Sequence, residues 1–379
     1  SVYVTDVDDL TIGSVTIPVY SRVNLDNAVT LGGGVITTGS SAFSSMIVQA
    51  LNALTVNQAV TATNGHILLV SSAADVVINN TVTASAGNVQ VSAQNDVTQA
   101  AAGDISAAGT IFVNAATGDI TMTNGADSIA TGNVVYTAGG DVTVASLNGA
   151  NLAVNAGGSI IDGGDANVDL ISVDGLQLVA GGSIGQPQGT DNGPLETSVT
   201  AVAMTAGAAG SIYLVETNGL LIQNVPAVSY NLVNADGTVS LQAGAALTDA
   251  TAGQNIKINA GGGITVNIPV AATAADILLQ SVTNDVGLNN TLNAGGNISL
   301  LAALSVFQNA AGDITAGGTL DVDAGSADII MNDDALSNVT GNVRYDAGGN
   351  VVLGGISGAN VMVNAGASIT DGGDTHVDI

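Results

Sequence analysis

Residues 341–379, GNVRYDAGGNVVLGGISGANVMVNAGASITDGGDTHVDI, align without a gap to residues 132–170, GNVVYTAGGDVTVASLNGANLAVNAGGSIIDGGDANVDL, with 23 identities in 39 positions. The match continues further back, the offset moving from 209 to 210 residues through one single-residue indel. AAGDITAGGT at 310–319 matches AAGDISAAGT at 101–110, and ILLQSVTNDVGLNNT at 277–291 matches ILLVSSAADVVINNT at 67–81. SVYVTDVDDLTIGSV at 1–15 resembles SIYLVETNGLLIQNV at 211–225. A tandem unit of about 210 residues therefore organises the chain: residues 1–210 form a first unit and 211–379 a second, incomplete one. Matches in one register along a whole chain mark a repeat architecture, in which each unit buries its apolar face against its neighbour. The way the two copies break off predicts further repeats beyond both ends.

A finer rhythm runs inside the unit. Runs such as TIFVN (110–114), DVTVA (141–145) and NLAVN (151–155) alternate branched apolar with small polar residues, the pattern of a half-buried strand. Gly-Gly, Asn-Gly and Gly-Asp pairs separate them and are expected to supply the positive φ of tight corners. The tripeptide Ala-Gly-Gly recurs from Ala138, Ala156, Ala180, Ala260, Ala294, Ala316 and Ala347, at spacings that include 18, 22 and 24 residues. These are lengths for one coil of a parallel β-helix. The expected fold is all-β, a β-solenoid of about 17 coils and on the order of 80 Å long at ~4.8 Å per rung. Asn79, Asn80, Asn289 and Asn290 recur at matched places and predict stacked amide ladders. One stretch, 42–51, departs from the rhythm and reads as a short helix or an irregular coil.

Composition supports strands. Only Glu196 and Glu216 are glutamate among 31 acids, so 29 are aspartate, a residue of turns rather than of helix surfaces. Aromatic residues make up 2% of the chain, too few for most sandwiches. Stacked aspartates repel, so the acids are expected to be scattered over many corners. A net charge of −28, with Arg22, Lys257 and Arg344 as the basic side chains, excludes nucleic acid and attraction to anionic lipid heads. No apolar run approaches the ~20 residues of a membrane span, so membrane insertion is not expected. Cysteine is absent, which excludes disulfides and thiolate metal sites.

The repeats of form Gly-(Asn/Ser)-Ile/Val-x-(Val/Leu)-x-Ala-Gly-Gly resemble those of filamentous-haemagglutinin-like and other giant repetitive surface proteins of bacteria. IIDGGDANVDL (160–170) and ITDGGDTHVDI (369–379) are similar to a segment common in those proteins. So is the segment 175–212, through Ile184-Gly185 and Pro194-Leu195-Glu196-Thr197. The resemblance implies a right-handed parallel β-helix, export across the envelope, and a role as adhesin, stalk or matrix fibre at the bacterial cell surface. The secretion domain that opens such proteins is not visible in these residues, which leaves the export route open.

Calcium is the cofactor candidate, because oxygen-rich corners of Asp and Asn suit a hard cation. The candidate ligands are Asp162 and Asp165 in DGGD, Asp371 and Asp374 in its copy, and the cluster Asp6, Asp8 and Asp9. The competing reading needs no cofactor: Asp in an Asp-Gly corner accepts hydrogen bonds from its own turn. A carbohydrate-active enzyme would use paired carboxylates. Sugar clefts favour aromatic platforms, however, and this chain has no Trp. His66 and His376 fall at different repeat positions, opposite Asp276 and Asn167, and a duplicated active site would keep its residues. No catalytic residue is assigned. The expected function is a secreted structural rod that self-associates into filaments or matrix fibres, since an open solenoid end is an unpaired strand edge. A stalk that presents an adhesin tip to a host-surface or matrix ligand is the alternative.

Overall fold

The computed structural model describes residues 1–16, 20–23, 29–32, 36–37, 39–164, 167–189, 193–373 and 379. Most of its strands have three to five residues with inward Val, Ile, Leu or Ala at alternate positions, as in Leu54–Val56 and Val89–Ala93, while Ser146–Ala156 and Leu170–Ala180 run to 11. A strand so short buries too little apolar area to persist alone, and the stability comes from stacking. Each coil strand pairs in parallel with its equivalent one coil on, so the chain winds into a parallel β-solenoid of about 15 turns, roughly 22 residues apart, and the described residues hold no helix. That makes a rod of roughly 70 Å at ~4.8 Å per rung.

Each coil has three faces. Five-residue strands stack on the first, with Met46, Ile67, Val89, Ile111, Val134, Leu152 and Leu176 in register. Three-residue strands stack on the other two, for example Leu54–Val76–Val97 and Val60–Val82–Ile105. One continuous core from Ala42 to Ile356 fills the interior. The coil count falls below 17 because two long insertions leave the winding path. They lie within the Val2↔Met46 and Ile212↔Ile256 steps, each twice a normal coil.

The insertions are antiparallel hairpins at equivalent places. The first pairs Tyr20–Val23 with Val29–Gly32, and the second pairs Ser229–Val233 with Val239–Ala243. The second is an arm that runs back along the long-strand face of the first repeat. Gln177 Nε2 anchors its root by donating to the carbonyls of Val225, Pro226 and Ala245 at 3.0–3.1 Å. Asn133 Nδ2 donates to Ser229 O (2.7 Å), Asn231 N to Thr110 Oγ1 (3.0 Å) and Val233 N to Gln90 Oε1 (2.7 Å). At its tip, Asp236 O accepts from Tyr3 Oη (2.9 Å).

A turn of the winding makes this reach possible. At the junction between repeats the faces shift by one position: Leu176 of the long-strand face pairs with Val202, and Val202 and Met204 pair onward with the short strands at Ile222 and Ala250. The arm leaves the coil between those two short strands, directly above the face it covers.

Segment 42–51 is not helical: Met46–Ala50 is a strand whose first three residues are all buried. Ile47 faces outward and is covered by Val233 of the arm together with Leu68, so the alternation that reveals a strand is erased. Glycine also differs from expectation. None of the Ala-Gly-Gly glycines is among the described residues with positive φ. They are required by close stacking instead. A Cβ on Gly181 would strike the carbonyl oxygen of Gly157, and one on Gly317 that of Gly295. In the second glycine of most pairs the obstacle is a side-chain acceptor one coil below, Asp119 for Gly140, Asp141 for Gly158 and Asn297 for Gly318, whereas Gly262 meets the backbone of Gly219.

Those acceptors form a ladder, and the acids are stacked rather than scattered. Asp96 N donates to Asp75 Oδ1 (3.1 Å), Asp119 N to Asp96 (2.8 Å), Asp141 N to Asp119 (2.7 Å) and Ser159 N to Asp141 (2.6 Å). Each carboxylate receives a backbone N–H from the next coil, a charge-assisted bond that offsets repulsion at a solvated corner. The asparagines divide. Asn79 Nδ2 donates to Asn57 Oδ1 and Asn289 Nδ2 to Asn267 Oδ1, both at 2.8 Å, in exposed ladders, whereas Asn80 and Asn290 accept from the next residue of their own turns.

Candidate functional site

Acidic side chains converge at one corner of the junction between the repeats. Asp162 ends the strand Ile160–Asp162, Asp169 precedes the strand Leu170–Ala180, and Glu196 lies in Leu195–Val199. Each offers a carboxylate oxygen within 4.8 Å of the others, and among the described residues no other group of three His or acidic residues does so. The backbone sets the geometry. Asp169 N donates to Glu196 O and Glu196 N to Asp169 Oδ2, both at 3.1 Å, which locks the two segments together. Asp162 accepts from Gly164 N (2.8 Å) and Gly193 N (3.0 Å). Gly164 has φ +91°, so its left-handed conformation lets the chain turn back over the carboxylate.

Asp169 is fully buried, and its Oδ1 has no hydrogen-bond partner. Burial, then the charge of Asp162, pushes its carboxyl up to about 9. Two chemistries satisfy such a group: it keeps a proton, or a hard cation bridges the carboxylates. Glu216, one coil further on, is buried and raised as well. It is satisfied by Thr197 Oγ1 (2.8 Å), Asn218 N (2.9 Å) and Val199 N (3.1 Å).

Of the residues singled out in the sequence, Asp162 belongs to this cluster. Asp165 and Asp374 lie outside the described residues. Asp371 is exposed and accepts from Gly373 N (2.8 Å), the turn its repeat partner Asp162 makes with Gly164. Asp6, Asp8 and Asp9 occupy one corner but do not converge. Asp6 accepts from Asp8 N (3.1 Å), Asp8 from Asn52 Nδ2 (3.4 Å) and Asp9 from Ala53 N (3.1 Å). Sequence reasoning missed Asp169 and Glu196. The available signal was that Glu196, one of two glutamates, sits in the segment 171–210 that the repeat uses once.

His66 bonds within the coil stack. Its Nδ1 accepts Asn88 N (3.0 Å), and its repeat partner Asp276 accepts Asn297 N (2.7 Å). A second polar set is kept in both repeats. Tyr136 Oη lies 2.6 Å from Ser128 Oγ and donates to Gln99 Oε1 (3.1 Å). Tyr345, Ser337 and Gln308 repeat this at 2.7 and 3.4 Å. Both tyrosines are fully buried and act as core struts. No helix is long and apolar enough to cross a membrane among the described residues. No protein-family model, curated protein or solved structure matches the chain.

Proposed function

We propose that the chain is a structural segment of an extracellular fibre or matrix at a bacterial surface, a rod that self-associates and does no chemistry. One observation carries this reading: the polar residues kept from repeat to repeat bond the coil stack itself. Asn88 and Asn297 both accept a threonine N–H from the next coil, at 2.8 and 2.9 Å, and the two buried tyrosine sets brace the core. A stack bonded at every rung resists pulling along its axis, and parallel stacking is a geometry that a further unit can extend. The style of the repeats, similar to that of filamentous-haemagglutinin-like proteins, supports the location. The carbohydrate-enzyme alternative is disfavoured, because Asp169 is sealed from any sugar. Cryo-electron microscopy of native material tests the proposal. Continuous fibres with a ~4.8 Å axial repeat support it, and separate rods ending in a distinct knob would favour the adhesin stalk.

Calcium at Asp162, Asp169 and Glu196 is a second reading, favoured by the buried, unbonded Oδ1 of Asp169. A melting series in calcium tests it. The expected result is stabilisation that Asp169→Asn abolishes, and a wild-type chain indifferent to calcium would overturn it.

A further inference from the structure

The arm of the second repeat shows how one repeat unit clasps another, and the chain holds a second seat of the same design. On the first repeat, Tyr3, Gln90, Thr110 and Asn133 bond the arm's backbone, and Asn88 Oδ1 accepts from the Asn231 side chain. The equivalent residues on the second repeat are Tyr213, Ser299, Thr319, Asn342 and Asn297, so every type but Gln90 is kept. They sit on the same stacked face, where Tyr213, Lys257, Leu278, Ser299, Asp321, Arg344 and Met362 point outward in register. Asn297 and Thr319 even keep their mutual bond, at 2.9 Å, as in Asn88 and Thr110. The Nδ2 of Asn342, whose counterpart Asn133 donates to the arm, has no hydrogen-bond partner among the described residues. An open groove runs here, lined by Thr319, Asp321, Asn342, Arg344, Asn360 and Met362.

An arm of the right form is also present. The hairpin Tyr20–Val23/Val29–Gly32 has the pairing of the second arm shifted by one repeat, Tyr20↔Gly32 answering Tyr230↔Gln242. Its insertion point lies within the Val2↔Met46 step, as that of the second arm lies within the Ile212↔Ile256 step. The substitutions between the two seats and the two arms match in charge. Under the seated arm, Leu232 packs against a cluster containing Phe112 and Val135. In the open seat Phe112 becomes Asp321, which with Asp323 and Asp346 surrounds the single guanidinium of Arg344. The residue equivalent to Leu232 in the first hairpin is Arg22. Three carboxylates against one cation leave a negative seat, and the sequence puts an arginine at the matching arm position.

We propose that the long-strand face of the second repeat, from Tyr213 to Met362, receives the Tyr20–Gly32 hairpin of a second copy of this chain, joining units in trans as the arm joins repeats in cis. The proposal rests on the self-associating reading above and gives it a specific joint. The chain lacks cysteine, so a mixing experiment is clean: Tyr20→Cys in one chain and Asp321→Cys in another, oxidised together, with Phe112→Cys/Tyr230→Cys in one chain as the cis control. A disulfide-linked heterodimer with little of either homodimer is the expected result. Absence of the heterodimer while the cis control closes would overturn it. Sedimentation of the otherwise unaltered chain provides a second readout that does not depend on cysteine. Association should weaken at least tenfold with Asn342→Lys, an exposed change that blocks the groove. Fibres that form equally well with Asn342→Lys would overturn the joint and leave the fibre reading standing. A cross-linked pair that never grows into fibres would do the reverse.

Discussion

Tyr230 of the arm is stacked on Phe112 of the coil face, with ring centroids 4.3 Å apart and planes 20° from parallel. The two residues are far apart in sequence, and the contact fixes the arm midway along its length. It also explains an anomaly in the strands of the first repeat. Ile111–Ala115 and Val134–Ala138 have three consecutive buried residues, whereas their equivalents Leu320–Ala324 and Val343–Ala347 alternate.

The stacked pair should be separable from the core. Phe112→Ala is expected to speed hydrogen exchange at the Asn231 and Val233 amides, while amides of the coil stack stay protected. A double-mutant cycle with Tyr230→Ala should give a coupling of about 0.5–1.5 kcal/mol. A coupling near zero would mean that the arm is held by its hydrogen bonds alone.

His66 makes the coil stack sensitive to acid. Its Nδ1 accepts the Asn88 N–H, which requires that nitrogen to be unprotonated, and burial lowers its pKa from the ordinary 6.5. A group whose folded pKa is depressed contributes stability above its unfolded value and loses it as pH falls through the folded value. Thermal stability should therefore fall below pH ~6.5, more steeply in the wild-type chain than in His66→Asn. Identical slopes would show that the imidazole does not sense pH in the fold.

Asp169 has the opposite sign. Its carboxyl is held up to about 9 when folded and titrates near 3.8 when unfolded, so the folded state binds the extra proton between those values. Its contribution is complete below 3.8 and is lost as pH rises toward 9. Asp169→Asn should flatten this alkaline decline, as read from melting temperatures across pH 5–9. If calcium binds, it displaces the proton, and its stabilising effect should grow with pH.

The two buried tyrosines offer a test of independence. Tyr136→Phe leaves Gln99 and Ser128 without a shared partner, as Tyr345→Phe does for Gln308 and Ser337. Each should cost about 1–3 kcal/mol in denaturant unfolding. The double variant should cost the sum, because the sites lie many coils apart. A repeat array that unfolds one unit at a time would instead show two transitions.

Glycines should divide by what lies beneath them. Gly181→Ala drives a methyl into the Gly157 carbonyl and is expected to unfold or strongly destabilise the junction. Gly287 faces open space in the strand Val286–Leu288, so Gly287→Ala should stabilise by about 0.4–1 kcal/mol. Equal losses at both would contradict stacking as the reason for the Ala-Gly-Gly motif.

The solenoid was legible because its unit is local. Alternation in DVTVA and the recurrence of Ala-Gly-Gly report strand and corner within one coil, and repetition extends the reading to the whole rod. The acidic site was half legible. Asp162 announces itself in DGGD, but Asp169 reads as an ordinary residue before a strand. Only the winding of 171–210 carries Glu196 back to it.

By itself, the sequence determined the repeat, the all-β class and the parallel stacking, since these follow from side-chain period and from the recurrence of small residues at the corners. Tertiary structure alone decided which aspartates share a column, which carboxylates meet at the junction, and where the arm lies. Each of those depends on how far the faces shift between repeats, a property of accumulated winding that no local run of residues encodes.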